Sequence, residues 1–175
     1  MMTNRESAGP SSRPASGGAC SGFRPPGVQQ GAPGLPGGLH RLGAPGQTLV
    51  PIRQPFVDDR GEIRNLIDVP FASAAVITSV KGAIRANHYH KTDYHYCWLQ
   101  RGGLIYFQRQ VGSTEPPQRW VIRPGDMFYT PAMHEHAMYF TEESVLFAFA
   151  RNHRDMDHYE ADTVRVRNIG SWDPE

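Results

Sequence analysis

The residues best suited to chemistry lie in one stretch, Gly82-Ala83-Ile84-Arg85-Ala86-Asn87-His88-Tyr89-His90-Lys91-Thr92-Asp93-Tyr94-His95. Side chains two apart on a strand share a face, so His88 and His90 project together and bring two imidazoles within reach of one ion. His95 follows a short turn on the next run. A later segment, Gly125 to His136, can bring a further histidine from across a sheet. Imidazole suits zinc, iron, nickel or copper, and a site of this kind also admits manganese as its divalent ion. The alternative is that these are polar strand residues bonded to water and neighbours. The pairing at i and i+2, with two more histidines in reach, favours the metal.

Short β-rich runs must position these groups. Glu62 to Ile67, Ala75 to Val80, Tyr94 to Leu99 and Leu104 to Val111 read as strands, as do Trp120 to Ile122, Met127 to Thr130, His136 to Phe140 and Val145 to Ala150. Asp58-Asp59-Arg60-Gly61, Gly102-Gly103 and Pro124-Gly125-Asp126 punctuate them as turns. Strands at this spacing predict an all-β sandwich or barrel over residues 47–168, and no segment shows a sustained, capped helical period. Runs such as Leu146-Phe147-Ala148-Phe149 are apolar on both faces, which predicts an outer face covered by another sheet or by a second copy in a homodimer.

Residues 1–46 differ in kind. They hold 11 of the 18 glycines and 7 of the 15 prolines, with Phe23 the only aromatic. Such a composition cannot bury enough apolar area to offset chain entropy, and it reads as a disordered tail. A short C-terminal tail is expected over 169–175. The 18 basic and 17 acidic residues are near balance, which argues against a nucleic-acid partner and against an anionic membrane surface. No apolar run approaches the roughly 20 residues of a membrane span. No basic, apolar leader opens the chain, and Cys20 and Cys97 imply no disulfide framework, so the expected location is the reducing cytoplasm.

The histidine segments resemble the cupin superfamily. Its first motif is Gly, five residues, His-x-His, three or four residues, Glu, six residues, Gly. Gly82, His88, His90 and Gly102 fall in register, with His95 in the glutamate slot. Its second motif is matched by Gly125, Pro131 and His136, while Met133 replaces a glycine and Phe140 an asparagine. The resemblance implies a cupin barrel (a double-stranded β-helix) with His88, His90, His95 and His136 as metal ligands. His134 faces the same way as His136, but motif register favours His136. An all-histidine set adds no ligand charge, so a bound divalent ion keeps its positive charge and favours Lewis-acid behaviour or an anionic ligand.

A narrower resemblance is carried by Asp59-Arg60-Gly61-Glu62-Ile63 and by Arg85-Ala86-Asn87-His88-Tyr89-His90. These are similar to segments of the dTDP-4-keto-6-deoxyglucose 3,4-ketoisomerases and of the C-terminal cupin of capsular-polysaccharide enzymes. The dTDP-4-dehydrorhamnose 3,5-epimerases share a looser form. The resemblance implies an epimerase or ketoisomerase acting on a nucleotide-linked 4-keto-deoxysugar. That chemistry needs a base, an acid and stabilisation of an enolate. His88 is the expected base in a metal-free site, and Tyr94, Tyr129 and Tyr139 are candidate acids. Arg85 and Arg64 are expected to grip the diphosphate, since guanidinium matches phosphate oxygens. Two other classes remain open on the same residues: a metal-dependent dioxygenase, and a module that binds a sugar or another small molecule without turnover.

Overall fold

The computed structural model describes residues 47–170. The tail expected over 1–46, and positions 171–175 of the C-terminal segment, lie outside the described residues. The strands are β1 (Leu49–Val50), β2 (Phe56–Asp58), β3 (Gly61–Ile63), β4 (Ser73–Ser79), β5 (Ile84–His90) and β6 (His95–Arg101). They continue as β7 (Leu104–Gln110), β8 (Gln118–Ile122), β9 (Met127–Thr130), β10 (His134–Phe140) and β11 (Ser144–Ala150). Helix α1 (Met156–Asp162) and strand β12 (Thr163–Arg165) follow.

Two five-stranded sheets form the barrel, in the orders β1-β9-β6-β11-β4 and β12-β5-β10-β7-β8, and β2 pairs with β3 as a separate hairpin. All the strand pairings among the described residues are antiparallel. Alternation along the strands sends Cys97, Leu99, Leu104, Tyr106, Phe128, Met138, Phe140 and Leu146 into one apolar cluster between the sheets. The motif glycine Gly102 has φ of 91°, and a Cβ there would collide with the Glu143 carbonyl oxygen and Ser144. Turn geometry and close approach both require glycine at that corner.

The two-faced apolar runs find much of their cover within the chain. Outside the first sheet, Tyr96, Trp98, Tyr129 and Phe149 pack with Ile52, Leu66, Ile67 and Val69, and Phe71 meets Phe149 edge-on at 5.4 Å. Outside the second, Ile105, Phe107 and Ala137 pack with Tyr139, Val166 and Ile169. The expectation of no helix is corrected by α1. Its N-cap Asp155 accepts a hydrogen bond from the His158 amide, but seven residues are too few to show a helical period. No helix among the described residues is long and apolar enough to cross a membrane.

Candidate functional site

The apolar cluster fills one end of the barrel, and histidines occupy the other. His88 and His90 close β5, His95 opens β6 and His136 lies at the start of β10. Register brings them together: His136 is the cross-strand partner of both His88 and Gln108, while His95 faces Thr130 and Ala150. Ring centroids are 4.8 Å apart for His88 and His90, 4.6 Å for His88 and His136, and 5.3 Å for His95 and His136. His90, His95 and His136 are at most 4% exposed. All four expected ligands therefore converge.

Backbone strain gathers at the same place. Ala86, Asn87 and Met133 have φ of 67°, 56° and 57°, and they are the non-glycine residues with positive φ among those described. Ala86 and Asn87 form the irregularity that interrupts the β5–β10 ladder next to His88. Met133 is held by its amide donating to the His90 carbonyl at 2.8 Å. Such conformations persist only where the surroundings over-determine them.

What each ring nitrogen touches sorts the histidines. The His136 Nδ1–H donates to the His134 carbonyl at 3.1 Å, so the Nε2 lone pair is free for the cluster. His90 Nδ1 lies 3.3 Å from the Asp162 carboxylate, and its Nε2 is buried with no hydrogen-bond partner. The His88 ring donates to the Ala86 backbone. One ligand atom from each of His88, His90 and His136 can be chosen so that all three lie within 4.8 Å of one another. An orphaned buried nitrogen among lone pairs anchored by carboxylate and carbonyl acceptors fits a divalent ion and the outer partners that orient metal-bound imidazoles.

Electrostatics keep the rings neutral. Burial, then the neighbouring His90 and the Arg154 guanidinium, depress His88 to about 4. Burial and then Arg154 also lower His90, which the carboxylates of Asp93 and Asp162 partly offset. His95 is pushed well down by burial and then by His136, and His136 by burial and then by His88. Partial burial raises the Asp162 carboxyl, yet hydrogen bonds from the Thr92 side chain and amide and the Asp93 amide outweigh it and hold the group below the ordinary range.

Besides Asp162, two residues beside the rings carry no signal in the sequence. Arg154 reaches in after β11, 3.3 Å from Asp93 and 3.2 Å from His95 Nδ1. Tyr159 on α1 places its ring 6.2 Å from His88 and 5.7 Å from His90, with the Arg154 guanidinium 5.7 Å from its centroid. Neither belongs to a run with a readable period.

The other expected site residues lie elsewhere. Tyr129 is the cross-strand partner of Tyr96 and stacks with it on the outer face, while its neighbour Thr130 faces inward opposite His95. Tyr139 packs outside the second sheet near Val166 and Ile169. The structure brings neither tyrosine to the histidines. Tyr94 stands in the same outer cluster as Tyr129, 5.8 Å away. Arg85 donates to Ser79 Oγ at 2.8 Å and to the Thr78 carbonyl at 2.9 Å, stitching β5 to β4. Arg64 pairs with Glu62 at 3.2 Å beside the β2–β3 hairpin.

No protein-family model matches the chain, and no curated protein matches its sequence. Solved structures do. The 3,4-ketoisomerase QdtA from Thermoanaerobacterium thermosaccharolyticum, in complex with TDP, superposes with a TM-score of 0.55 at 22% identity, over 66% of this chain and 85% of that one. A 3,4-ketoisomerase from Helicobacter canadensis gives 0.55 at 16% identity, over 65% and 86%. The dTDP-4-dehydrorhamnose 3,5-epimerase from Sulfolobus tokodaii gives 0.58 at 16% identity, over 69% and 78%. The chain has the cupin barrel fold of the RmlC-like kind, and its structural neighbours include enzymes that modify nucleotide-linked sugars.

Proposed function

We propose that this chain is a metal-holding cupin enzyme that isomerises or epimerises a nucleotide-linked 4-keto-deoxysugar. The observation that carries the reading is the convergence of buried imidazoles at one end of the barrel, with one ligand atom each from His88, His90 and His136 within 4.8 Å of one another. A divalent ion held there would supply Lewis acidity toward a keto oxygen. QdtA supports the substrate class, since a histidine-to-asparagine variant of that protein was crystallised with TDP-4-keto-6-deoxyglucose.

The chain's own residues take the remaining roles. A proton beside the carbonyl must leave its carbon and return, to the opposite face of the same carbon in an epimerisation or to the former carbonyl carbon in an isomerisation, where the neighbouring hydroxyl proton passes to the keto oxygen, so a group that holds and releases a proton is needed. Tyr159, whose ring flanks His88 and His90, takes that role in place of Tyr129 and Tyr139. Phe56, Val57 and Ile63 are each at least 60% exposed on a two-stranded hairpin, an element marginal alone, which supports a homodimer that light scattering can check.

The test is deuterium uptake by dTDP-4-keto-6-deoxyglucose in D2O, with elemental analysis of the same purified protein. Isomerase and epimerase alike exchange protons beside the carbonyl. Expected results are stoichiometric metal, exchange at those carbons and loss of exchange on chelation. Metal-loaded protein that leaves the sugar unexchanged sinks the reading.

A further inference from the structure

We infer that His95, in the slot where the fourth metal ligand is expected, is a fixed hydrogen-bond donor to an oxygen of the ligand and not a metal ligand, and that Arg154 is the residue that fixes it. The identity of that ligand rests on the function proposed above. The donor role rests on hydrogen-bond polarity alone.

A guanidinium has N–H donors and no acceptor. The 3.2 Å contact between Arg154 and His95 Nδ1 therefore has one possible direction, with arginine donating and Nδ1 accepting. A neutral imidazole whose Nδ1 accepts carries its hydrogen on Nε2, and a nitrogen bearing hydrogen has no lone pair for an ion. The polarity is the reverse of that at His90 and His136, where Nδ1 faces a carboxylate and a carbonyl. Arg154 is in turn held by Asp93 at 3.3 Å. Asp93 is 3% exposed and also accepts the Asn152 amide at 2.9 Å. Asp93 thus balances the arginine's charge and anchors it. The His95 ring itself stands in the same cluster, 5.3 Å from His136 and 5.6 Å from His90. A preorganised donor there is suited to an oxygen that gains negative charge, as the keto oxygen of an enolising sugar does.

The test is the two-bond 1H–15N correlation of the histidine rings in 15N-labelled full-length protein, metal-free and after zinc addition. His95 is expected as the Nε2–H tautomer in both states, while His90 and His136 are Nδ1–H and their Nε2 signals move with zinc. In Arg154→Met the His95 pattern should become a mixture of tautomers, and Arg154→Lys should restore it. His95→Ala should bind zinc within about threefold of wild type, against a loss of roughly a hundredfold or more for His136→Ala. A His95 Nε2 signal that shifts with zinc, or a His95→Ala loss as large as that of His136→Ala, overturns the inference. If wild-type protein takes up no zinc, the metal part of the proposed function fails, and the His95 tautomer in the metal-free protein still decides this one.

Discussion

Asp162, His134 and Ala86 each offer an oxygen to one histidine, and Arg154 offers a hydrogen to another. Four residues of one type thereby acquire two kinds of work. Their convergence was legible in the sequence, because strand periodicity fixes His88 against His90 and motif spacing places His95 and His136. Their division of labour was not. It depends on partners from the segment after β11, where Arg154, Tyr159 and Asp162 lie in irregular chain or a short helix. The same gap explains the tyrosines. Alternation sends Tyr129 and Tyr139 outward, whereas Tyr159 reaches the rings from α1. Tyr159→Phe should lower kcat by roughly 10²- to 10⁴-fold, as for loss of a general acid or base, with KM changed little. Tyr129→Phe and Tyr139→Phe should stay near wild type in the same sugar-exchange assay. Equal losses in all three would remove Tyr159 from its assigned role.

Among the elements, the connections around the site depart most from what local preference dictates. The strands and their turns were readable because Gly102, Gly125 and their neighbours announce corners, while the irregularity at Ala86 and Asn87 has no glycine to mark it. Left-handed backbone costs an ordinary residue about 1–2 kcal/mol. Met133 accepts that cost where the motif would carry glycine, and its backbone hydrogen bonds to His90 and Val111 fix the conformation. Glycine relieves the strain but loses more entropy on folding. Met133→Gly should therefore raise stability by a net of about 0.5–1 kcal/mol, seen as a higher urea midpoint at unchanged slope. A lower midpoint would mean that the partly exposed Met133 side chain contributes packing larger than the strain. Helix α1 shows a related conflict. The carboxylate of Asp162 sits at its C-terminal end, against the helix dipole. Donors from Thr92 and Asp93 offset that repulsion and aim the group at His90. Local disfavour compensated by specific partners is what a positioned functional group looks like.

For the whole molecule, the barrel was legible from turn-punctuated alternation, and the cover of its outer faces only in part. Sequence shows that a strand is apolar on both sides, but not whether residues 50–71 or a second copy lie against it. The barrel's interior also sets how folding responds to acid. An unfolded chain binds protons on its histidines near pH 6.5, whereas the folded site resists them, His88 down to about 4. The unfolded state therefore binds more protons as pH falls, and stability declines with it. The His88 contribution is full above about pH 6.5 and is lost progressively toward pH 4, on the order of 3 kcal/mol. His90, His95 and His136, all lowered, steepen the loss. Metal-free protein should thus show a urea midpoint nearly level from pH 7 to 8 and falling steeply below 6. Zinc at 100 times its dissociation constant should add about 2.7 kcal/mol at pH 7 by mass action. That increment should shrink on acidification, because protons and metal compete for the same lone pairs. His136→Ala should lose most of the zinc increment and flatten part of the acid slope together. A variant that kept the increment while losing the slope would separate the metal from these imidazoles.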